Sequence, residues 1–167
     1  MTEANTILPS ADNVVACAML TEGDRLQLAR FIQANVEKYT DALVRAVELT
    51  QAKDYRREDL KQIIAGYVAI MSEALVEKSN DKRSFYLETV IPGLVTNGEA
   101  LPKLLYGAAS VSLIISMDVM HGFPSASPSD LSDWVADYFA SFLRDMMGSA
   151  LTTAMQTPAL LAQMASS

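Results

Sequence analysis

The side chains with the clearest chemical potential are Asp118 and His121, which lie three positions apart at the end of a long apolar stretch. His121 is the only histidine of the chain. On a helix the two would share one face, so Asp118 could orient His121 as a general base, or His121 could ligate a haem iron. The plainer interpretation is a histidine in the last turn of a helix, where the helix dipole favours it. No Gly-x-Ser-x-Gly turn and no Glu-x-x-His pair accompanies them, so we expect neither an enzyme nor a metal site.

A second group of residues could line a small ligand pocket. They lie on the second and fourth predicted helices and combine apolar bodies with polar tips. The candidates are Tyr67, Met71, Tyr106, Ser110 and Met117. Helical spacing favours ordinary core positions for the methionines. For the two tyrosines, a pocket and a hydroxyl bonded to a backbone carbonyl remain open alternatives.

The single cysteine, Cys17, excludes an internal disulfide and a cysteine zinc site. It precedes the first predicted helix, and no base lies near it in the sequence, which disfavours thiol chemistry and a covalently attached bilin. A single cysteine without an internal disulfide partner is typical of proteins in a reducing cytoplasm.

Composition and charge exclude several partners. The formal net charge is −7 and half of the 167 residues are apolar, so a phosphate backbone would be repelled and nucleic acid is not an expected partner. The N-terminal residues do not resemble a secretory signal. The uncharged run between Lys103 and Asp118 has 14 residues, fewer than the roughly 20 that a bilayer requires. We therefore expect a cytoplasmic protein that does not cross a membrane.

The periodicity of apolar residues predicts an all-α domain of about five main helices. They span about 24–50, 58–78, 85–95, a segment that begins after Gly98 and ends at Gly122, and 128 to about 155. Gly98 is the predicted C-cap of the third helix and Ser127 the predicted N-cap of the fifth. The domain would extend over 24–157, with an N-terminal arm at 1–23 and a tail at 158–167.

The last two long helices have features of a dimer interface. The fourth carries small residues that allow close helix approach, and the fifth is apolar on more than one face, which requires cover on both sides. A second copy would supply that cover. The predicted interface residues are Gly107, Ala108, Ser112, Trp134, Tyr138, Phe139 and Met147.

The segment from Glu88 to Val119, ETVIPGLVTNGEALPKLLYGAASVSLIISMDV, resembles the N-terminal sensor domains of the RsbT co-antagonist family, the RsbR proteins of the stressosome. In these domains a short helix ends in a glycine-containing turn, and an apolar–proline turn begins a long helix. The resemblance covers about 24–155 and rests on helix lengths and apolar positions.

The resemblance implies a globin-like fold that dimerises through its last two long helices and usually lacks haem. Its output half would be a sulfate-transporter/anti-sigma-antagonist domain, and these 167 residues contain none. A free-standing, non-catalytic stress-signalling sensor or adaptor with a protein partner is therefore expected. A globin's proximal histidine would fall within 84–95, which has no histidine, so no haem or bilin cofactor is expected. The alternatives are a tetrapyrrole or small apolar ligand carrier, and an enzyme that uses Asp118 and His121.

Overall fold

A computed structural model describes residues 20–50 and 55–157, together with 162, 165 and 166. Among these residues every regular element is helical and no strand occurs. The elements are α1 (Glu22–Ala34), α2 (Val36–Leu49), α3 (Arg57–Val76), α4 (Asp81–Phe85), a π-helical turn (Tyr86–Val90), α5 (Ile91–Thr96), α6 (Leu101–Gly122) and α7 (Pro128–Gln156). The all-α prediction is confirmed. The predicted arm and tail, with Cys17, lie largely outside the described residues.

The first predicted helix is two helices, α1 and α2, separated at Asn35. The backbone of Asn35 leaves helical geometry, with φ −106° and ψ 14°. Its side-chain amide donates a 2.7 Å hydrogen bond to the carbonyl of Phe31. An asparagine side chain that bonds the preceding turn competes with the regular backbone ladder, which explains the break. Apolar spacing continues across Asn35, so periodicity alone predicted one helix.

The third predicted helix is a continuous segment in which α4, the π-helical turn and α5 follow without interruption. The N–H of Ile91 bonds the carbonyl of Tyr86, five residues earlier. Pro92, which has no N–H to donate, follows immediately in the first turn of α5. The π-helical turn thus lies just before Pro92, which could not have donated the N–H bond of a regular α-helix.

Gly98 ends α5 as predicted, with φ +90°. Its N–H bonds the carbonyl of Val95 at 3.1 Å, and the N–H of Glu99 bonds that of Leu94 at 3.0 Å. These two bonds form a Schellman motif, which favours glycine at the left-handed position. Ser127 occupies the N-cap position of α7, as predicted, but its side chain makes no capping hydrogen bond.

The helices share one continuous core. α3 packs against α1 and α2, α6 packs against α2 and α7, and α7 packs against α5. The core includes Leu28, Ile64, Leu75, Val111 and Phe142, all fully buried. Five inward positions predicted for the fifth helix, Leu131, Val135, Tyr138, Phe142 and Met146, are confirmed as buried. A globin-like arrangement of these helices remains a prediction.

Candidate interaction surface

The outward face of α6 carries a stripe of large apolar side chains. The inward face is formed by the buried residues Ala108, Val111, Ser112, Ile115 and Val119. On the other side, Tyr106, Leu113, Met117 and Met120 are exposed to 49%, 60%, 52% and 47%. With Ser110 between them, these positions step by four, three, four and three residues. We call Tyr106, Ser110, Leu113, Met117 and Met120 the α6 stripe.

The α6 stripe has the spacing by which one helix packs along another. Steps of four and three keep residues on one side of a helix, the pattern of the a and d positions in helix–helix packing. No charged residue lies between Lys103 and Asp118, so contact would not bury an unpaired charge in the middle of the stripe. Contiguous exposed apolar surface of this kind marks an interaction site more often than a single exposed leucine does.

Several predicted interface residues lie elsewhere. Trp134, Tyr138 and Phe139 are buried within one chain, so they are core residues and the prediction that they face a partner was wrong. α7 packs against α5 and α6, and its residues Trp134, Tyr138 and Phe139 are covered without a second copy. Ala108 and Ser112 are likewise buried on the inner face of α6. Gly107 is partly exposed.

Met147 is the one predicted interface residue of α7 that is exposed in the described chain. It continues into Leu151 and Met155, which are also exposed and follow in steps of four. These three side chains lie along one side of the C-terminal half of α7. They form a second, shorter apolar surface beside the end of the helix.

The predicted ligand pocket does not form, because its residues lie in different environments. Tyr67 and Met71 are buried in the core. The Tyr67 ring packs edge-on against Tyr86 and Phe142, and its hydroxyl points at Met146 Sδ, 3.8 Å away. Burial raises the pKa of Tyr67 well above its ordinary value. Tyr106, Ser110 and Met117 lie on α6, as predicted, but the side chains of Tyr106 and Met117 face solvent.

Asp118 bonds to residues of α2 and not to His121. Its Oδ1 forms an ion pair with Lys38, and its Oδ2 accepts a 2.8 Å hydrogen bond from the Tyr39 hydroxyl. Burial, and then the neighbouring carboxylate, raise the pKa of that hydroxyl far above its ordinary value. His121 is exposed and borders a recess of about 330 Å³ with Met117, Ile114 and Ala42. These contacts explain Asp118 as a link between α6 and α2.

A larger cavity lies beside the π-helical turn. This groove has a volume of about 720 Å³, and its walls come from α4, the π-helical turn, α5 and the second half of α7. The residues that line it are mostly polar or small and include Ser84, Glu88, Asp145, Gly148 and Thr152. No heavy atom lies within 4 Å of the position that a Cβ would occupy on Gly148, so the groove stays open there.

Arg83 lies next to this groove. Its buried, paired environment is typical of functional residues, and the sequence did not predict it. Its side chain is 1% exposed, and Nη2 donates to Asp145 at 2.8 Å and to Ser141 at 3.2 Å. Its guanidinium lies 5.3 Å from the ring centre of Tyr138 and 5.1 Å from that of Phe142. In the sequence, Lys82-Arg83 between polar residues indicates a solvated pair of charges.

Within the part of the chain that the structure describes, no three His, Cys, Asp or Glu side chains are grouped so as to hold a metal ion. One helix there, Leu101–Gly122, is long and apolar enough to cross a membrane by length and composition, with a mean hydropathy of 1.4 in its most apolar window. Only 28% of that window is buried within the chain, which agrees with the exposure of the α6 stripe.

Comparisons with known proteins bring no relative. No protein-family model matches the sequence, and no match was found among curated proteins or solved structures.

Proposed function

We propose that this chain is a non-catalytic sensor or adaptor domain that acts as a homodimer through the α6 stripe. The observation that carries the proposal is the position of Leu113. It is 60% exposed in the middle of a 22-residue helix whose other face is core. A single exposed leucine would need no explanation, but Leu113 lies at the centre of the α6 stripe, whose Tyr106, Met117 and Met120 are also exposed, and a partner surface accounts best for such a contiguous apolar face.

A second copy is the simplest partner for such a surface. Most soluble oligomers are symmetric, and a two-fold interface uses the same patch on both subunits. The stripe is apolar on both copies, and its spacing is that of helix-to-helix packing. A signal would act by shifting the two α6 helices against each other, as in other interfaces between packed helices.

The surroundings of the stripe favour protein over lipid. Near its C-terminal end, Asp118 is paired with Lys38 of α2, whose side chain is 62% exposed. A membrane-spanning α6 would carry α2, which packs against it, toward the hydrocarbon together with the exposed charges of Lys38 and Asp41, and charged side chains within the hydrocarbon are costly. We therefore infer a cytoplasmic protein without a membrane-spanning segment.

The test is sedimentation equilibrium of the full chain across a micromolar concentration series. We expect a dimer of the 18.1 kDa chain. Leu113→Glu should weaken the dimer at least about 100-fold, because an unpaired carboxylate would be buried in the interface. The matched control is Phe85→Glu, whose parent side chain is 61% exposed but lies on α4. This control should sediment like the wild type.

Three results would overturn the proposal. The first is a wild-type monomer at every concentration. The second is equal dissociation of the Phe85→Glu control. The third is co-sedimentation of the monomer with lipid vesicles that Leu113→Glu abolishes, which would assign the stripe to a membrane surface.

A second candidate function, a carrier for a small ligand, is favoured by the groove beside the π-helical turn. Its volume lies in the range of roughly 300–1,000 Å³ that is typical of ligand sites. No residue that lines it is a histidine or cysteine, so a ligand there would not be haem or bilin held through those side chains. Native mass spectrometry of the purified protein tests this candidate. A bound molecule that Gly148→Leu removes would support it, and an empty protein would exclude it.

A further inference from the structure

We infer that the groove beside the π-helical turn binds a linear aliphatic polyamine, a flexible chain that carries two or more ammonium groups. This inference rests on the second candidate function, the ligand carrier, and names the chemical class of its ligand. It follows from the hydrogen-bond donors and acceptors in the walls of the groove and from their spacing along α7.

Two hydroxyl groups in the wall already donate their protons to the backbone. Ser149 donates to the carbonyl of Leu87, and Thr153 donates to the carbonyl of Ser149 at 2.9 Å. A serine or threonine hydroxyl has one proton and two lone pairs. Both hydroxyls can therefore meet a ligand only as acceptors.

The π-helical turn explains why the Ser149 proton stays on Leu87. In a regular α-helix the Leu87 carbonyl would accept from the N–H of Ile91, but that N–H bonds the carbonyl of Tyr86. The next position from which a π-helix could supply an N–H is Pro92, which has none. Leu87 is buried, and a buried carbonyl without a partner is costly, so the Ser149 hydroxyl has a fixed direction.

Two carboxylates add further acceptors. Glu88 is exposed at the groove and forms no ion pair within the described part of the chain. Asp145 uses Oδ2 for Arg83, and its Oδ1 lies 3.7 Å from the Nε of Arg144, beyond hydrogen-bond distance. Among the described residues that line the groove, Arg144 is the only cation, and its side chain is 70% exposed. Glu88 is thus the carboxylate of the groove without a counter-ion, which an ammonium group would supply.

The acceptors follow one another along the groove. Asp145, Ser149, Thr153 and Gln156 lie on one side of α7 in steps of four, four and three residues. They extend over about 16 Å, and neighbours are about 5–6 Å apart, from the rise of 1.5 Å per residue. A short run of methylene groups separates the nitrogens of a polyamine by a similar distance. Leu87 and Pro92 provide apolar surface for these methylene groups.

Isothermal titration calorimetry of the full chain with spermidine tests the inference. We expect a single site for each chain, and binding that weakens as salt is added. Butanediol, which has hydroxyls in place of ammonium groups, should not bind. Because the net charge of −7 attracts cations to the whole surface, charge-removing variants must separate the groove from this general attraction.

Glu88→Gln should weaken spermidine binding about three- to fivefold, the factor expected for the loss of one partly exposed charge pair. The matched control is Glu48→Gln, which removes the same charge from an exposed residue of α2 outside the groove. This control should bind like the wild type. Arg144→Gln should strengthen binding, because it removes the cation that competes with the ligand.

The outcomes separate this inference from the carrier function. Absence of spermidine binding, or equal weakening by Glu88→Gln and Glu48→Gln, would overturn the inference. A bound molecule without ammonium groups that Gly148→Leu removes would overturn it as well, while the ligand carrier stands. A protein that is empty in native mass spectrometry and does not bind added spermidine would overturn both.

Discussion

Arg83 of α4 and Asp145 of α7 form an ion pair at 2.8 Å, in which the arginine is buried and the aspartate is 12% exposed. The guanidinium Nε and Nη1 atoms make no hydrogen bond in the structure, and the rings of Tyr138 and Phe142 lie close to the guanidinium. Arg83 therefore depends on Asp145 for its neutralising charge. Asp145 also lies 3.7 Å from Arg144 and is itself partly exposed to the groove.

This asymmetry predicts unequal effects of removing the two partners. Asp145→Ala leaves a buried positive charge without its counter-ion, and we expect a loss of about 3–5 kcal/mol of unfolding free energy. Arg83→Met removes the charge and retains apolar bulk, so its cost should be clearly smaller. Urea unfolding of both variants measures the difference. Equal losses would show that the pair is not the main support of Arg83.

Ala108→Leu should destabilise the single chain and leave its oligomeric state intact. Ala108 is buried on the core side of α6, and overpacking a close contact typically costs about 1–3 kcal/mol. Thermal unfolding should shift to lower temperature, and sedimentation should match that of the wild type. The exposed neighbour Ala109 provides the control, because Ala109→Leu should cost little stability. Selective loss of the dimer in Ala108→Leu would restore the sequence-based view of this residue as an interface position.

Glu73 makes the fold sensitive to acid. Burial raises the pKa of this carboxyl, but hydrogen bonds from the Lys82 backbone, the Lys82 side chain and Ser79 outweigh that effect and hold the pKa below its ordinary value of 4.5. Its stabilising effect is therefore complete above about pH 4.5, the value expected in the unfolded chain, and is lost as the pH falls through the lower folded value.

We expect Glu73→Gln to lower the unfolding free energy at neutral pH and to flatten its decline below about pH 4.5. Chemical denaturation at several pH values provides the comparison. The exposed Glu48→Gln change is the control and should follow the wild-type pH dependence. A Glu73→Gln profile parallel to the wild type would show that other carboxylates cause the acid sensitivity.

Two glycines should respond in opposite directions to alanine. Gly98 has φ +90° in the Schellman turn, so Gly98→Ala should destabilise the chain by about 1 kcal/mol. Gly148 lies within α7 with open space around its missing Cβ, so Gly148→Ala should stabilise by about 0.5–1 kcal/mol. Thermal denaturation of the pair tests both signs. A neutral or destabilising Gly148→Ala change would indicate an unseen contact in the groove.

Much of the helical framework could be predicted from the sequence because local signals determine it. Gly98, Gly122 and Pro128 mark helix ends through their own backbone preferences, and the structure places ends at or beside these residues. Apolar spacing likewise identified the buried side of α3, except for Ile63, which is exposed. These signals need no knowledge of neighbouring helices.

The errors concern features that depend on tertiary partners. Trp134 and Phe139 lie beside the main apolar face of α7, and only the packing of the other helices determines that the chain itself covers them. Arg83 is buried because α7 offers a carboxylate and two aromatic rings, none of which is near it in the sequence. The four–three spacing of the α6 stripe distinguishes it from the inner face of the helix. The prediction from the sequence relied on small residues and therefore selected Ala108 and Ser112.

The π-helical turn changes the direction in which the residues before and after it face around the helix axis. Arg83, Leu87, Ile91 and Val95 are spaced by four residues, and all four are buried. Each step of four in an α-helix overshoots a full rotation by about 40°, so three steps would turn Val95 about 120° away from Arg83. The turn between Tyr86 and Val90 needs more residues for each rotation and takes back part of this drift. Deleting one residue there would restore regular geometry at the expense of alignment, and either the arginine or the apolar end of the segment would leave the core.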